Sequence, residues 1–258
     1  MWTRKDLKEK AKARFKVTYW RTVLVAVILA ILTGGASAGS SFSTGVSKGM
    51  SEGHEQAVEG SVYGSGPNLA VVLATAFFAI IMVLIFFALA IAVSVLLINP
   101  LVVGCSRFFT LNLSVDAEVK EVCYNFDRSY KNGVKVMFFR DLYTVLWSFL
   151  FIIPGIIKSY EYRMIPYLLA ENPDMEKDMA FSLSKQMMQG NKWDAFVLDL
   201  SFILWHILSA FTCGILELFY VAPYINMTNA ALYVALKDDY QSRQAQVEAS
   251  QNETPMQI

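Results

Sequence analysis

Five ionisable residues interrupt stretches of sequence that are otherwise strongly apolar. They are Lys158, Glu161, Asp199, His206 and Glu217. A charged side chain at the centre of a lipid bilayer costs about 2.5 to 3.5 kcal/mol on insertion scales, so such residues usually face protein or water. Lys158 and Glu161 are three residues apart, a spacing at which they can pair on one face of a helix. These five residues are the candidate intramembrane polar site.

The spacing of Asp199 and His206 favours a shared polar stripe. They are seven residues apart and fall on one face of a helix. Glu217 opens the next apolar segment, and Asn226 and Asn229 lie further along it, where they can extend the same stripe. Asp199 and His206 therefore predict an inward polar seam, to which Asn226 and Asn229 can also belong.

Two interpretations of the candidate residues stay open. In the structural interpretation they hydrogen-bond between helices, each bond contributing about 0.5 to 2 kcal/mol, and this is favoured for Lys158 and Glu217. In the functional interpretation, Asp199 and His206 line a path for a substrate or a proton. For Asp199 and His206 the sequence supports both equally.

Other motifs do not indicate an enzyme. Residues 35–39 fit the G-x-S-x-G pattern of hydrolases, but they end an apolar helix, whereas that motif works on a strand-to-helix turn with a paired histidine and acid. Three cysteines, Cys105, Cys123 and Cys213, are too few and too scattered for a disulfide framework or a zinc site. We therefore expect no enzymatic activity, no metal and no cofactor.

The composition indicates that the apolar segments lie in a membrane. Hydrophobic residues make up 55% of the 258 positions and charged residues 17%, proportions unusual for a soluble protein. Residues 69–98 contain no charge and form about 45 Å of helix at about 1.5 Å per residue, against a hydrocarbon core of about 30 Å. The net charge is zero, so nothing favours a nucleic-acid partner.

These segments predict an all-α polytopic membrane bundle of about six transmembrane helices in three hairpins. The predicted spans are residues 20–38, 69–98, 134–154, 156–170, 193–211 and 216–236, in an integral membrane domain of residues 1–238. Gly- and Ser-rich residues 40–68 predict a flexible outer loop, and residues 239–258 a disordered tail. The first segment has a second interpretation, because its basic start and Ala36-Ser37-Ala38 also resemble a cleavable signal peptide.

Amphipathic helices are expected at the cytoplasmic surface. The first covers residues 3–16, with Thr3 as its cap and an apolar side formed by Leu7, Ala11 and Phe15. Another follows the cap Asn172, ends at Gly190 and carries one apolar face, formed by Met175, Met179, Leu183 and Met187. A third is predicted over residues 115–130 and stops at residues 132–133.

The distribution of basic residues sets the expected orientation. Of the 22 Lys and Arg residues, 19 lie in segments that six spans would place on the cytoplasmic side, and the long outer loop contains one, Lys48. This is the positive-inside pattern. It predicts a multi-pass protein of the cell membrane with both termini cytoplasmic, and membrane lipids as partners.

Several short strings resemble a known family. They are IPGIIKSY at residues 153–160, PYLLAENP at 166–173, GNKW at 190–193 and LDLSF at 198–202. Together they are similar to the bacterial integral membrane proteins grouped as domain of unknown function 975, and more distantly to the membrane domain found beside some glycerophosphodiester phosphodiesterases. The resemblance implies a membrane fold and no particular activity.

The expected function is that of a non-enzymatic accessory or scaffold protein of the bacterial cytoplasmic membrane. The alternative is a small permease with a polar path through the membrane. The sequence leaves protein partners and the oligomeric state open.

Overall fold

The structure is a computed structural model that describes residues 2–34, 69–212 and 214–252. All regular structure in these ranges is helical, which confirms the all-α class. The predictions for residues 35–39, 40–68 and Cys213 lie outside the described residues. The α-helices, in chain order, are α1 (Arg4–Val17), α2 (Tyr19–Gly34), α3 (Leu69–Val93), α4 (Asn99–Leu111), α5 (Tyr124–Asp127), α6 (Tyr130–Leu150), α7 (Ile152–Glu161), α8 (Ile165–Glu171), α9 (Lys177–Met188), α10 (Lys192–Leu200), α11 (Ile203–Phe211) and α12 (Ala222–Asn252).

The chain divides into two units, one of residues Ile31–Ile98 and one of Met1–Ala30 with Asn99–Ile258. The first unit contains α3, none of whose residues is buried. Two helical stretches among the described residues are long and apolar enough to cross a membrane: Leu69–Leu111, with a mean hydropathy of 3.2, and Lys192–Phe211, with 1.5. By this measure two of the six predicted spans are supported.

The prediction that the second apolar helix ends at Asn99-Pro100 is wrong. The helix passes through Pro100 and continues to Leu111. Proline inside a helix removes one hydrogen bond and clashes with the preceding turn. Here the turn before it, Ser94–Ile98, is π-helical, and such a wider turn accommodates the ring.

The core of the second unit is built around α12. Met227, Ala230 and Tyr233 are fully buried along one stretch of it. The apolar side of α1 belongs to the same core, with Leu7, Ala11 and Phe15 buried. The amide of Asp6 donates to Thr3 Oγ1 at 3.2 Å, as a capping residue requires. The predicted cap and the predicted apolar side of the first helix are therefore confirmed.

The third and fourth predicted spans have different boundaries in the structure. The chain turns at Phe151, which is extended, and Pro154 lies in the first turn of α7, where its missing N–H is tolerated. Residues 156–170 do not form one helix, because α7 ends at Glu161 and a turn leads to α8. All residues of α8 from Ile165 to Ala170 are buried in the core. Gly155 permits the close approach of α6, since a Cβ there would lie 2.6 Å from Ser148 Cα.

The later amphipathic helix begins at Lys177, not directly after Asn172. The side-chain amide of Asn132 donates to the carbonyls of Pro173 and Met175, both at 2.8 Å, and holds these residues outside the helix. Met179 was assigned to the buried face but is 56% exposed. Gly190 has a φ of 81° and terminates this region as predicted.

The helix predicted over residues 115–130 is also corrected. A 3₁₀ turn, Val119–Cys123, leads into the short α5, and residues 132–133 lie inside α6 instead of ending a helix. Gly104 explains the departure from regular α-helix, because a Cβ at that position would lie 1.8 Å from the carbonyl oxygen of Val122. The segment follows the surface of α4 too closely for a continuous helix with its own apolar face.

The predicted disordered tail is wrong for residues 239–252, where α12 continues to Asn252. Arg243 pairs with Asp239 at 3.2 Å one turn away, and Ser242 Oγ donates to the carbonyl of Asp238 at 2.8 Å. Such local contacts and the helix-forming residues of this segment support an exposed helix without apolar periodicity.

Candidate functional site

Glu161 is the centre of the first polar cluster. Its side chain is 6% exposed and accepts from two ammonium groups, Lys158 at 2.6 Å and Lys192 at 2.5 Å. Ser184 Oγ donates to the Glu161 carbonyl at 2.6 Å, which ties the end of α7 to α9. The predicted pairing of Lys158 with Glu161 is confirmed. The buried carboxylate is balanced by two cations and joins α7 to α10, and the Glu161 carbonyl adds the link to α9.

Asp199 is the centre of the second cluster. Both nitrogens at the end of Arg163 donate to its carboxylate, at 2.7 and 2.8 Å, and Tyr160 Oη donates to it at 2.8 Å. Arg163 also donates to Asn229 Oδ1 at 2.8 Å. The paired geometry is the strong form of an arginine–carboxylate contact. Asp199 on α10 is thereby connected to the α7–α8 turn and to α12.

His206 and Glu217 form a third contact, with His206 Nδ1 3.1 Å from Glu217 Oε2. The side chains are 50% and 35% exposed, so the pair is far more open than the Glu161 cluster. A groove of about 340 Å³ runs beside it, and Asp199 and Asn226 line the same groove. The groove brings Asp199, His206, Glu217 and Asn226 together, whereas Asn229 bonds to Arg163 and does not line the groove.

The five candidate residues thus divide between two places. Asp199, His206 and Glu217 share the groove, which we call the seam groove, whereas Lys158 and Glu161 belong to the separate cluster at the end of α7. The turn at Ser201-Phe202 sets the direction of α11 relative to α10, and Phe202 is 2% exposed beneath it. This turn brings His206 back toward Glu217.

Sequence reasoning missed one basic partner in each cluster, Lys192 for Glu161 and Arg163 for Asp199. Arg163 lay in a predicted span and Lys192 directly before one, and neither was matched with an acid. The contacts of Asp141 were also missed. The Asn99 side chain donates to its carboxylate at 2.8 Å, and Arg140 pairs with the same carboxylate. The available signal was charge balance, because an acid in an apolar segment requires a cation from another segment.

The family described as Protein of unknown function (DUF975) matches residues 68–239. The chain belongs to this family. No curated protein and no solved structure matches the chain. The match covers every helix from α3 through the buried part of α12. The Glu161 cluster, the Asp199 cluster and the contact of His206 with Glu217 therefore lie inside the DUF975 region.

The chemistry available in this DUF975 member is that of paired charges. Among residues 2–34, 69–212 and 214–252, no cluster of three or more His, Cys, Asp or Glu side chains is placed to hold a metal ion. The carboxylates of Glu161 and Asp199 each accept hydrogen bonds from two or more donors, so their oxygens are occupied by protein groups. His206 with Glu217 is the more open pair, and both side chains line the seam groove.

Proposed function

We propose that the chain is a multi-pass protein of the bacterial cytoplasmic membrane that acts as a non-enzymatic scaffold. The proposal depends on the location of the large apolar side chains that are exposed. They concentrate in residues 69–97, 142–157 and 200–219. The parts of the chain on either side of residues 142–157 and 200–219 pack into one hydrophobic core.

Exposure of this kind is unfavourable in water. Phe149 is 87% exposed, Ile152 78%, Leu204 77% and Phe211 82%, and these residues lie on the two hairpins α6–α7 and α11–α12. A soluble monomer rarely exposes a contiguous apolar patch of more than a few hundred Å². In a bilayer the same side chains would contact lipid, so their exposure supports a membrane location for both hairpins.

The orientation follows from charge. The core beneath the hairpins contains the basic α1 and the segments with most of the remaining Lys and Arg residues, which supports a cytoplasmic core and cytoplasmic termini. Among the described residues, Leu69–Leu111 and Lys192–Phe211 are long and apolar enough to cross a membrane. The proposal keeps the six predicted spans because they place 19 of the 22 Lys and Arg residues on the cytoplasmic side.

The scaffold role is supported by how the polar groups are used. Glu161 and Asp199 hold helices together through several donors each, so these side chains already serve packing. A protein that works through its embedded surface and its cytoplasmic helices needs no free reactive group.

A permease is the second candidate, and the seam groove is the observation that favours it. Asp199, His206 and Glu217 line a groove beside apolar helices, an arrangement that transporters use for protons and cations. The bidentate bond from Arg163 counts against it, because that bond occupies the Asp199 carboxylate.

Thiol labelling tests the topology. Cys123 is exposed and should react with a membrane-impermeant reagent only after cells are permeabilised, whereas a Phe211→Cys variant should react in intact cells. Protection of the Phe211→Cys thiol in intact cells would show that the α11–α12 hairpin enters the membrane without crossing it, and would overturn six spans. Recovery of the protein after alkaline carbonate washing of the membrane pellet is the matching test of integration.

Complementation separates the scaffold from the permease. His206→Gln and Glu217→Gln each remove an ionisable group from the seam groove while preserving size. A scaffold should complement a deletion strain with either variant. A stable protein that fails to complement with both would favour transport.

A further inference from the structure

A groove lined by basic residues lies between α1, the turn after α10, and α12. Its volume is about 440 Å³. One face of α1 supplies four basic side chains, and Ser201 and Tyr224 stand opposite. The basic side chains are Arg4, Lys5, Lys8 and Lys12. We call this site the basic groove; it is separate from the seam groove and from the Glu161 cluster.

Lys8 is the central residue of the basic groove. Its ammonium group donates to Ser201 Oγ at 2.6 Å and lies 4.3 Å from the centre of the Phe202 ring. An ammonium group has three donors, so the bond to Ser201 leaves Lys8 able to donate to a ligand as well. The ring beneath Lys8 favours a cation at this position.

The charges of the basic groove are not balanced by the protein. Glu9 is the one acid among its lining residues, and it lies 3.9 Å from Lys5 at the exposed rim. Burial, followed by repulsion from Arg4, lowers the pKa of Lys8 below its usual value. Four cations along one groove with a single acid form a site for an anion.

The position of the basic groove identifies the kind of anion. Ser201 sits where the exposed apolar surface begins, since Leu200 is 50% exposed and Leu204 77% exposed. The groove therefore has cations on one side and lipid-facing side chains immediately beyond. An amphipathic ligand with a negative headgroup and acyl chains matches both parts.

We propose that the basic groove binds the phosphate headgroup of an anionic phospholipid from the cytoplasmic leaflet. The proposal rests on the membrane placement given above. The phosphate contacts Lys8 and Lys12, Arg4 and Lys5 contribute at the rim, and the acyl chains lie along the start of α11.

Lipid binding by the purified full chain tests the proposal. Native mass spectrometry in a neutral detergent would measure binding of phosphatidylglycerol against phosphatidylcholine. A lysine near an anionic surface contributes about 1 kcal/mol, so Lys8→Gln with Lys12→Gln should weaken phosphatidylglycerol binding about 30-fold. Arg4→Gln with Lys5→Gln removes the same charge without disturbing the bond to Ser201, and should weaken binding about tenfold.

The matched control is Lys10→Gln with Lys16→Gln, which removes the same charge from the same helix outside the basic groove. It should change binding less than threefold. Glu9→Gln should strengthen binding severalfold. Equal losses in the control and in the Lys8 and Lys12 variant would show general electrostatic attraction and overturn the site. Displacement of the lipid by millimolar inorganic phosphate would identify a soluble phosphate as the ligand and overturn the lipid assignment.

Carbonate extraction of the same variants separates this proposal from the proposed function. A wild-type chain that stays in the membrane but binds phosphatidylglycerol no better than phosphatidylcholine would refute the basic groove alone. Release of the wild-type chain by carbonate would refute membrane integration.

Discussion

Asp199→Asn is the change that best tests how the polar clusters stabilise this fold. The substitution keeps the size of the side chain and one oxygen acceptor. It removes the charge that Arg163 faces through two hydrogen bonds and replaces the second acceptor with a donor. Arg163 then retains two side-chain acceptors in the cluster, Asn229 Oδ1 and the one oxygen left at position 199.

The expected loss follows from the exposure of the pair. Breaking a buried ion pair by removing one partner costs about 3 to 5 kcal/mol. The side chains of Arg163 and Asp199 are 18% and 36% exposed, so solvent screens part of the interaction, and we expect a loss of about 1 to 3 kcal/mol. At about 2 to 4 °C per kcal/mol for a chain of this size, the melting temperature in detergent should fall by roughly 2 to 12 °C.

A double-mutant cycle isolates the contact. Arg163→Gln alone should also destabilise, whereas the double variant with Asp199→Asn should lose less than the sum of the two single changes. Asp194→Asn is the matched control, since it makes the same chemical change in the first turn of α10. It should lower the melting temperature by no more than about 2 °C. An unchanged melting temperature for Asp199→Asn, or additive losses in the cycle, would refute the assignment of this pair to helix packing.

Two further predictions concern the α6–α7 hairpin and its base. Glu161→Gln should destabilise the fold by about 3 to 5 kcal/mol, more than Asp199→Asn. The reason is that two lysines then face a position that is 6% exposed without the carboxylate that pairs with them. A smaller loss than that of Asp199→Asn in the same detergent melt would contradict this prediction. Gly155→Ala should destabilise the fold by about 1 to 3 kcal/mol, because the added methyl group pushes α6 and α7 apart. Gly190→Ala should cost only about 1 kcal/mol, because residue 190 has open space around it and a φ of 81°. The reverse order of the two losses would show that backbone strain dominates over packing.

The candidate residues could be recognised from the sequence because charges in apolar segments stand out. The pairing of Lys158 with Glu161 followed from helical spacing, which is a local property. The bond from Arg163 to Asp199 joins residues 36 positions apart and depends on where the α7–α8 turn places the arginine. Single-sequence patterns contain no information on such a contact beyond the requirement for charge balance.

The helix boundaries failed where tertiary contacts override local signals. Pro100 and Pro154 are ordinarily signs of a helix end, yet one follows a π-helical turn and the other occupies a first turn. Met179 fits an apolar face by spacing, but Asn132 shifts the start of α9 by bonding to the preceding carbonyls. Periodicity locates a helix, whereas its first residue and its buried face depend on contacts from other helices.

The placement of the ion pairs explains why charges occur in these apolar segments at all. Glu161 ends α7, whose beginning is an exposed apolar hairpin, and Asp199 lies just before the start of the exposed α11. A hydrophobic replacement of a buried ion pair is often as stable as the pair, so stability alone does not account for charges at these positions. A paired charge accepts few geometries, and a bidentate arginine accepts fewer still. We therefore infer that the two clusters fix the direction in which each hairpin leaves the core, because the lipid environment that we propose around the hairpins would give them no preferred packing.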